Sequence, residues 1–300
     1  MIIESPIDLE LTINSGQTSQ PPWAFDGDTY SNVVFIDGKP LIFKVKQSGR
    51  HLEFNLDDAK AVSRLNYIFD LDFDLDKFYK YLNNREELKD MSGFCDGLRL
   101  FLAPDPFECV ISSICSANNS IKRWTKSVCD IKRNWGERHG DCYTFPKSGD
   151  LAKVYLDEED EFNLSGIQDI CECTNNLKNC GVGYRAPYMR RASEMFTDDI
   201  DITEISSMSY DEAFETILEV PGVGPKVADC ILLYGFNFRQ AFPSDVWIKR
   251  IVSYLYFDGK DISVSKVREF GMEEFGDYAG YVQLYMFHYA RKSGLMAKLK

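Results

Sequence analysis

Lys226, Cys230 and Asp245 are the side chains of this chain whose types and spacing could break a covalent bond. Lys226 lies in VPGVGPKVADC (residues 220–230), just after Gly222, Gly224 and Pro225. Pro-Gly ends the preceding apolar-periodic helix, and Pro225 can open the next, so the stretch reads as helix–hairpin–helix. Glycines at 222 and 224 let the backbone turn sharply and leave amides without side-chain cover. Those amides sit at a helix N-terminus, where free N–H groups and the helix dipole favour an anion such as phosphate. With no base-reading side chain, the turn is expected to hold a nucleic-acid backbone without sequence preference. The same dipole disfavours a cation in the first turn, which predicts a depressed ammonium pKa for Lys226. A deprotonated amine is a nucleophile. Cys230 follows at i+4, on the same face. Alone, the hairpin supports no more than a solvated lysine or a phosphate contact.

AFPSDVWIKRI (residues 241–251) shifts that balance. Asp245 follows Pro243-Ser244 at a predicted helix start, where a carboxylate is stabilised as the anion. A plain N-cap is the common use of such an aspartate. Hairpin, lysine, short connection and Pro-x-Asp together form a recurring constellation.

The elements that must position these groups fall into two regions. VVFIDGKPLIFKVKQSGRHLEFNL (residues 33–56) has β-branched and aromatic runs broken by Asp-Gly and Ser-Gly, which are hairpin signals. DLELTI (residues 8–13) alternates and is expected to pair with them. Helical patterning starts near Asp74. From Asp105 the chain reads as helix after helix, the first opened by Asp105 as N-cap, Pro106 and a capping-box Glu108. Further helices are expected near SGDLAKVYL, SGIQDICECTNNL, APYMRRASEMF, SYDEAFETILEV, PKVADCILLYG, SDVWIKRIVSYLY, SVSKVREFGMEEF and YAGYVQLYMFHYARKSG. The fold class is α+β: an N-terminal antiparallel sheet region over residues 1–104, then a mostly helical body over 105–300. Two helical subdomains of that body are expected to flank the active-site cleft.

With 44% hydrophobic and 27% charged residues, the 300-residue chain reads as ordinary globular protein with a sizeable core. No stretch approaches about 18 consecutive apolar residues, so no membrane span is expected. The first residues lack the basic and apolar regions of a secretion signal. A cytoplasmic, nucleoid-associated or nuclear protein is expected. The nine cysteines are scattered, with no C-x2-C pair, and read as free thiols of a reducing compartment rather than a zinc or iron–sulfur site. A net charge of −13 argues against nucleic acid. Its distribution qualifies that: acid concentrates in DEEDEF (157–162) and TDDIDITE (197–204), whereas residues 107–133 carry five basic against two acidic residues. GYRAPYMRRA (183–192) has three arginines and no acid. A DNA-binding face on an acidic body fits this pattern, as does a solvated helix face for any one run.

Taken together, these stretches resemble the helix–hairpin–helix DNA glycosylase superfamily, and within it 8-oxoguanine DNA glycosylase. The resemblance covers most of the chain: SGQTSQPPW near residue 15, LRLFLAPDPFECVISSICSANNSIKRW, CGVGYRAPYM, LEVPGVGPKVADCI, FPSDVW and DYAGYVQLYMFHYARK. It implies a bifunctional enzyme that flips the damaged base out of double-stranded DNA. Lys226 would attack C1′, expel the base and form a Schiff base that permits β-elimination. Asp245 would stabilise the charge developing at the sugar. Phe287 would stack on the flipped base, Gln283 would read its Watson–Crick edge, and Cys230 would line the pocket. The Gly16 carbonyl would accept the N7 hydrogen that separates 8-oxoguanine from guanine. Asn118 would fill the vacated space, Tyr184 would prop the opposite strand, and Arg123 with Arg185 would grip the orphaned cytosine through forked donors. Gly222, Gly224 and Trp247 would form the phosphate clamp. Trp247 stands where the family often has histidine, Ser120 replaces an asparagine, and residues 17–20 depart from the family stretch after Gly16. No cofactor is implied, though hairpin carbonyls can hold a cation in such proteins. No iron–sulfur cluster is expected, because no cysteine follows Cys230. A monomer is the simplest expectation. The competing expectations are another damaged-purine specificity, against which Lys226 argues, and a noncatalytic DNA-binding module, which leaves Asp245 without a purpose.

Overall fold

The computed structural model describes residues 1–154 and 175–299. DEEDEF, Cys171, Cys173 and most of the expected SGIQDICECTNNL helix lie outside the described residues.

The chain opens with β1 (Ile2–Glu4), α1 (Leu9–Ile13), β2 (Ala24–Phe25), β3 (Tyr30–Ile36), β4 (Lys39–Ser48) and β5 (His51–Phe54). The strands form one antiparallel sheet in the order β1-β5-β4-β3-β2. The two hairpin signals hold. Ile36 pairs with Lys39 across Asp37-Gly38, both at positive φ, as a tight right-twisting turn demands. Ser48 pairs with His51 across Gly49-Arg50. Val34, Phe43, Val45 and Leu52 are buried beneath Trp23, Leu65, Phe69 and Phe101.

Residues 8–13 overturn the strand expectation. The Asp8 carboxylate accepts from the Leu11 amide at 2.8 Å and caps α1, and Leu9, Thr12 and Ile13 are buried at helical spacing. The strand that completes the sheet edge is β1. Helices also start earlier than Asp74: Asp58 caps α2 (Ala59–Ile68) through the amides of Lys60 and Ala61. α3 (Leu75–Asn83), capped by Asp74, and α4 (Lys89–Phe94) follow.

The helical body begins with α5 (Pro106–Ser116), which is buried from Phe107 to Cys115. Asp105 caps it at the Phe107 amide, 2.9 Å, as expected. Glu108 does not close a capping box. It turns inward, 2% exposed, and pairs at 3.1 Å with Lys132 of α6 (Ile121–Trp135). Asn32 of β3 accepts from the same ammonium, which ties sheet to body. A small hairpin of β6 (Arg138–His139) and β7 (Cys142–Tyr143) and the short α7 (Ser148–Leu151) precede residue 155. The remaining helices are α8 (Ala186–Asp198), α9 (Tyr210–Leu218), α10 (Pro225–Phe236), α11 (Val246–Tyr256), α12 (Val264–Phe275), α13 (Ala279–Lys292) and α14 (Leu295–Lys298).

Two of these carry the site. α10 packs against α5 and α9, and its residues 227–236 are buried. α13 is held by residues 70–103. Phe73 stacks on Tyr281 at 3.8 Å, Tyr281 donates to Asp70, and Tyr285 donates to the Leu98 carbonyl. Among the described residues no helix is long and apolar enough to cross a membrane, and the seven described cysteines are free.

Candidate active site

The hairpin lies between α9, opened by a Ser209–Glu212 capping box, and α10. Gly222 has φ +82°, and a Cβ there would meet the Tyr188 ring at 2.8 Å, so glycine is needed for two reasons. Gly224 differs from expectation. Its φ is −104° and a Cβ would meet open space. It does not make the turn; it leaves the start of α10 bare. No side chain caps that helix end, so its first N–H groups remain available for an anion.

Lys226 sits in that first turn, partly buried, close to the thiol of buried Cys230 and to Asp245. Burial pushes its ammonium pKa down. The negative poles of Cys230 and Asp245, with the hydrogen bond to Cys230, push it up, and the net direction is upward. The expected depression is thus reversed. The helix end contributes about half a positive charge, and the contacts with Cys230 and then Asp245 outweigh it. Burial also raises the Cys230 thiol, against the pull of the Lys226 ammonium.

Asp245 is the N-cap of α11. Its Oδ1 accepts from the amides of Trp247 and Ile248, each at 2.8 Å. Two residues earlier, the Pro243 carbonyl accepts from Gln283 Nε2 at 3.1 Å, which brings α13 to the carboxylate loop. Gln283 Oε1 is buried without a partner. Phe287, one turn on, is partly buried on the same helix.

The N-terminal segment closes the site from the other side. Gly16 has φ +90°, and a Cβ there would meet Ile121 Cδ1 at 2.4 Å. Thr18 bonds Ser113 at 3.1 Å and lies beside Cys230. Gln17 bonds the Arg99 carbonyl and the Phe101 amide, and Gln20 donates to the Leu102 carbonyl. The stretch that departs from the family pattern is therefore an internal anchor. Sequence reasoning missed Thr18 and Ser113, and only the unusual density of polar residues beside Gly16 hinted at them.

Asn118, exposed with φ +49°, lies within the α5–α6 connection. Arg185 clasps that turn, donating to the carbonyls of Ala117, Asn118 and Val182. Four of its five donor hydrogens can be engaged in this way, so the forked cytosine grip expected of Arg185 is not available in this arrangement. Its guanidinium lies 4.4 Å from the centroid of Tyr184, which is 58% exposed. Arg123 is exposed on the first turn of α6. Trp247 is partly buried under Arg250, 5.1 Å from its ring centroid. The structure thus brings Lys226, Cys230 and Asp245 together, with Gln283 bonded to the loop before Asp245 and Thr18, two residues after Gly16, beside Cys230. It groups Asn118, Tyr184 and Arg185 separately, and leaves Arg123 at the rim.

Residues 1–110 match the 8-oxoguanine DNA glycosylase N-terminal domain, and residues 111–276 match the HhH-GPD superfamily of base excision DNA repair proteins. The chain belongs to the HhH-GPD superfamily, in its 8-oxoguanine DNA glycosylase/lyase branch. A protein of Methanothermobacter thermautotrophicus named as a probable N-glycosylase/DNA lyase is 44% identical, over 98% of this chain and 96% of its own. The Saccharomyces cerevisiae N-glycosylase/DNA lyase is 27% identical, over 85% of this chain and 70% of its own. The Clostridium acetobutylicum 8-oxoguanine glycosylase/lyase, solved with double-stranded DNA containing cytosine opposite 8-oxoG, is 28% identical. It superimposes with a TM-score of 0.81 over 98% of each chain. The fold class and family expected from the motifs are borne out.

Proposed function

We propose that this HhH-GPD protein excises 8-oxoguanine paired with cytosine in duplex DNA and then cleaves the strand at the abasic site. The observation that carries this reading is the meeting of Lys226, Cys230 and Asp245 behind the bare N-terminus of α10, beside the Gln283–Phe287 wall. DNA phosphate docks on the free amides of the hairpin, where Gly222 and Gly224 allow close approach. Asn118 enters the gap left by the flipped base, next to exposed Tyr184. Phe287 stacks on the base, Gln283 meets its Watson–Crick edge, and the Gly16 carbonyl accepts its N7 hydrogen.

The reaction balances without a cofactor. The Lys226 amine forms a bond to C1′ while the C1′–N9 bond breaks, its electrons leaving with the base. The base takes up a proton, the amine loses one, and the sugar opens to a Schiff base. Loss of a C2′ proton then expels the 3′ phosphate. Asp245 offsets the positive charge that grows at the sugar before the new bond is complete. One chain supplies the whole constellation.

Because Lys226 attacks as the free amine and its pKa is raised, most of it is ammonium at neutral pH. Single-turnover base release should therefore climb about tenfold per pH unit below that raised pKa. A flat profile between pH 6 and 8 would contradict Lys226 as the attacking group. Arg123, with both forks free, is the proposed cytosine reader. Arg123→Ala should cut the preference for cytosine over adenine opposite the lesion about tenfold or more, read as a ratio of single-turnover rates; an unchanged ratio would remove it from that role.

A further inference from the structure

α13 presents Gln283, Phe287 and Arg291 at i, i+4 and i+8, so the pocket wall continues one turn beyond the aromatic ring. A basic residue in a last helical turn ordinarily faces water and complements the dipole, as exposed Lys292 does. Arg291 does otherwise. It turns inward, its guanidinium 5.4 Å from the Phe287 ring centroid, and Nη2 donates to the Ser15 carbonyl at 2.9 Å. Nη1 is buried without a hydrogen-bond partner and lies 3.3 Å from the place a Cβ on Gly16 would occupy. Burial pushes the guanidinium pKa down. A buried charged donor without an acceptor is costly. An apolar side chain of similar length would fill the same space at lower cost, so stability alone does not account for arginine here.

We infer that Arg291 is a specificity-determining positioning residue that clasps the Ser15–Gly16 peptide, so that the Gly16 carbonyl points to the lesion's N7 hydrogen. Gly16 stands at φ +90° between Ile121 and Arg291. Its carbonyl direction depends on the peptide just before it, and the side chains of Gln17 and Thr18 already anchor the chain just after it. The Ser15 hydroxyl already donates to the Thr12 carbonyl at 2.7 Å and accepts from Gln17 Nε2 at 2.9 Å; Arg291 adds the side-chain bond to the Ser15 carbonyl itself, on the peptide that Gly16 shares. It acts on the base through that peptide, while Phe287, lying beneath the guanidinium, keeps the base plane in register with the carbonyl. This inference rests on the 8-oxoguanine reading of the same pocket.

The test uses the Lys226→Gln protein, which keeps DNA intact, and three duplexes with cytosine opposite 8-oxoguanine, guanine or a tetrahydrofuran abasic analogue. Adding Arg291→Met, which preserves length and contact with Phe287, should reduce the affinity preference for 8-oxoguanine over guanine about tenfold, the scale of one hydrogen bond to the ligand. Affinity for the tetrahydrofuran duplex, which has no base to read, should stay unchanged. A preserved preference would overturn the inference, as would an equal loss on all three duplexes, which marks general loosening of α13. If Arg291→Met does not fold, Arg291→Gln removes the charge and the reach and carries the same expectation. If Lys226→Gln alone fails to prefer 8-oxoguanine, the parent reading falls. If it prefers 8-oxoguanine and the double variant matches it, only the role of Arg291 falls.

Discussion

Lys226→Gln should lower both base release and strand cleavage at least about 10³-fold, the scale on which enzymes lose a covalent nucleophile. Affinity for lesion DNA should be retained. The hairpin amides, Asn118, Arg123 and the α13 wall do not depend on the ammonium. Glutamine keeps much of the side-chain length and can still hydrogen-bond Cys230, and it buries no new charge. Single-turnover excision and equilibrium binding, measured on the same preparation, separate the two effects. Joint loss of binding and excision would place Lys226 in the phosphate clamp. Retained base release with lost strand cleavage would make it a lyase residue only.

Asp245→Asn should lower base release about 10²- to 10³-fold, the usual cost of removing one charge-stabilising group from an active site. The substitution is informative because asparagine caps helices nearly as well as aspartate. Its side-chain oxygen can accept from Trp247 and Ile248 as Oδ1 does now, so α11 should persist and the thermal midpoint should move little. Removing the charge also removes one of the causes that raise the Lys226 pKa. The pH profile of the residual activity should therefore shift to lower pH. A slow enzyme with an unmoved profile would mean that Asp245 acts only as a cap. A fall in thermal stability matching the fall in rate would mean the same.

Much of this is legible in the sequence alone, and the exceptions share a cause. Asp-Gly and Ser-Gly between alternating runs, Asp105 before proline, and Asp245 after Pro-Ser are local signals with local physics, and each appears as expected. DLELTI has an alternating pattern, but Asp8 can cap a helix, and burial of Leu9, Thr12 and Ile13 decided for the helix. Glu108 has the capping-box spacing, but Lys132 waits 24 residues downstream to pair with it in the interior. The sign of the Lys226 shift depends on Cys230 and on Asp245, the latter 19 positions away in sequence and near it in space. Arg185 looked like a free fork until three backbone carbonyls were found around it. In each case the sequence displays the group, and a distant partner sets what that group can do.

The most direct test of the account is borohydride trapping of the intermediate between the enzyme and a duplex with 8-oxoguanine opposite cytosine. The account predicts a covalent protein–DNA adduct that forms with the native chain, maps to Lys226 and disappears in Lys226→Gln. A folded, DNA-binding preparation that releases the base yet yields no adduct would contradict it, as would an adduct of undiminished yield in Lys226→Gln.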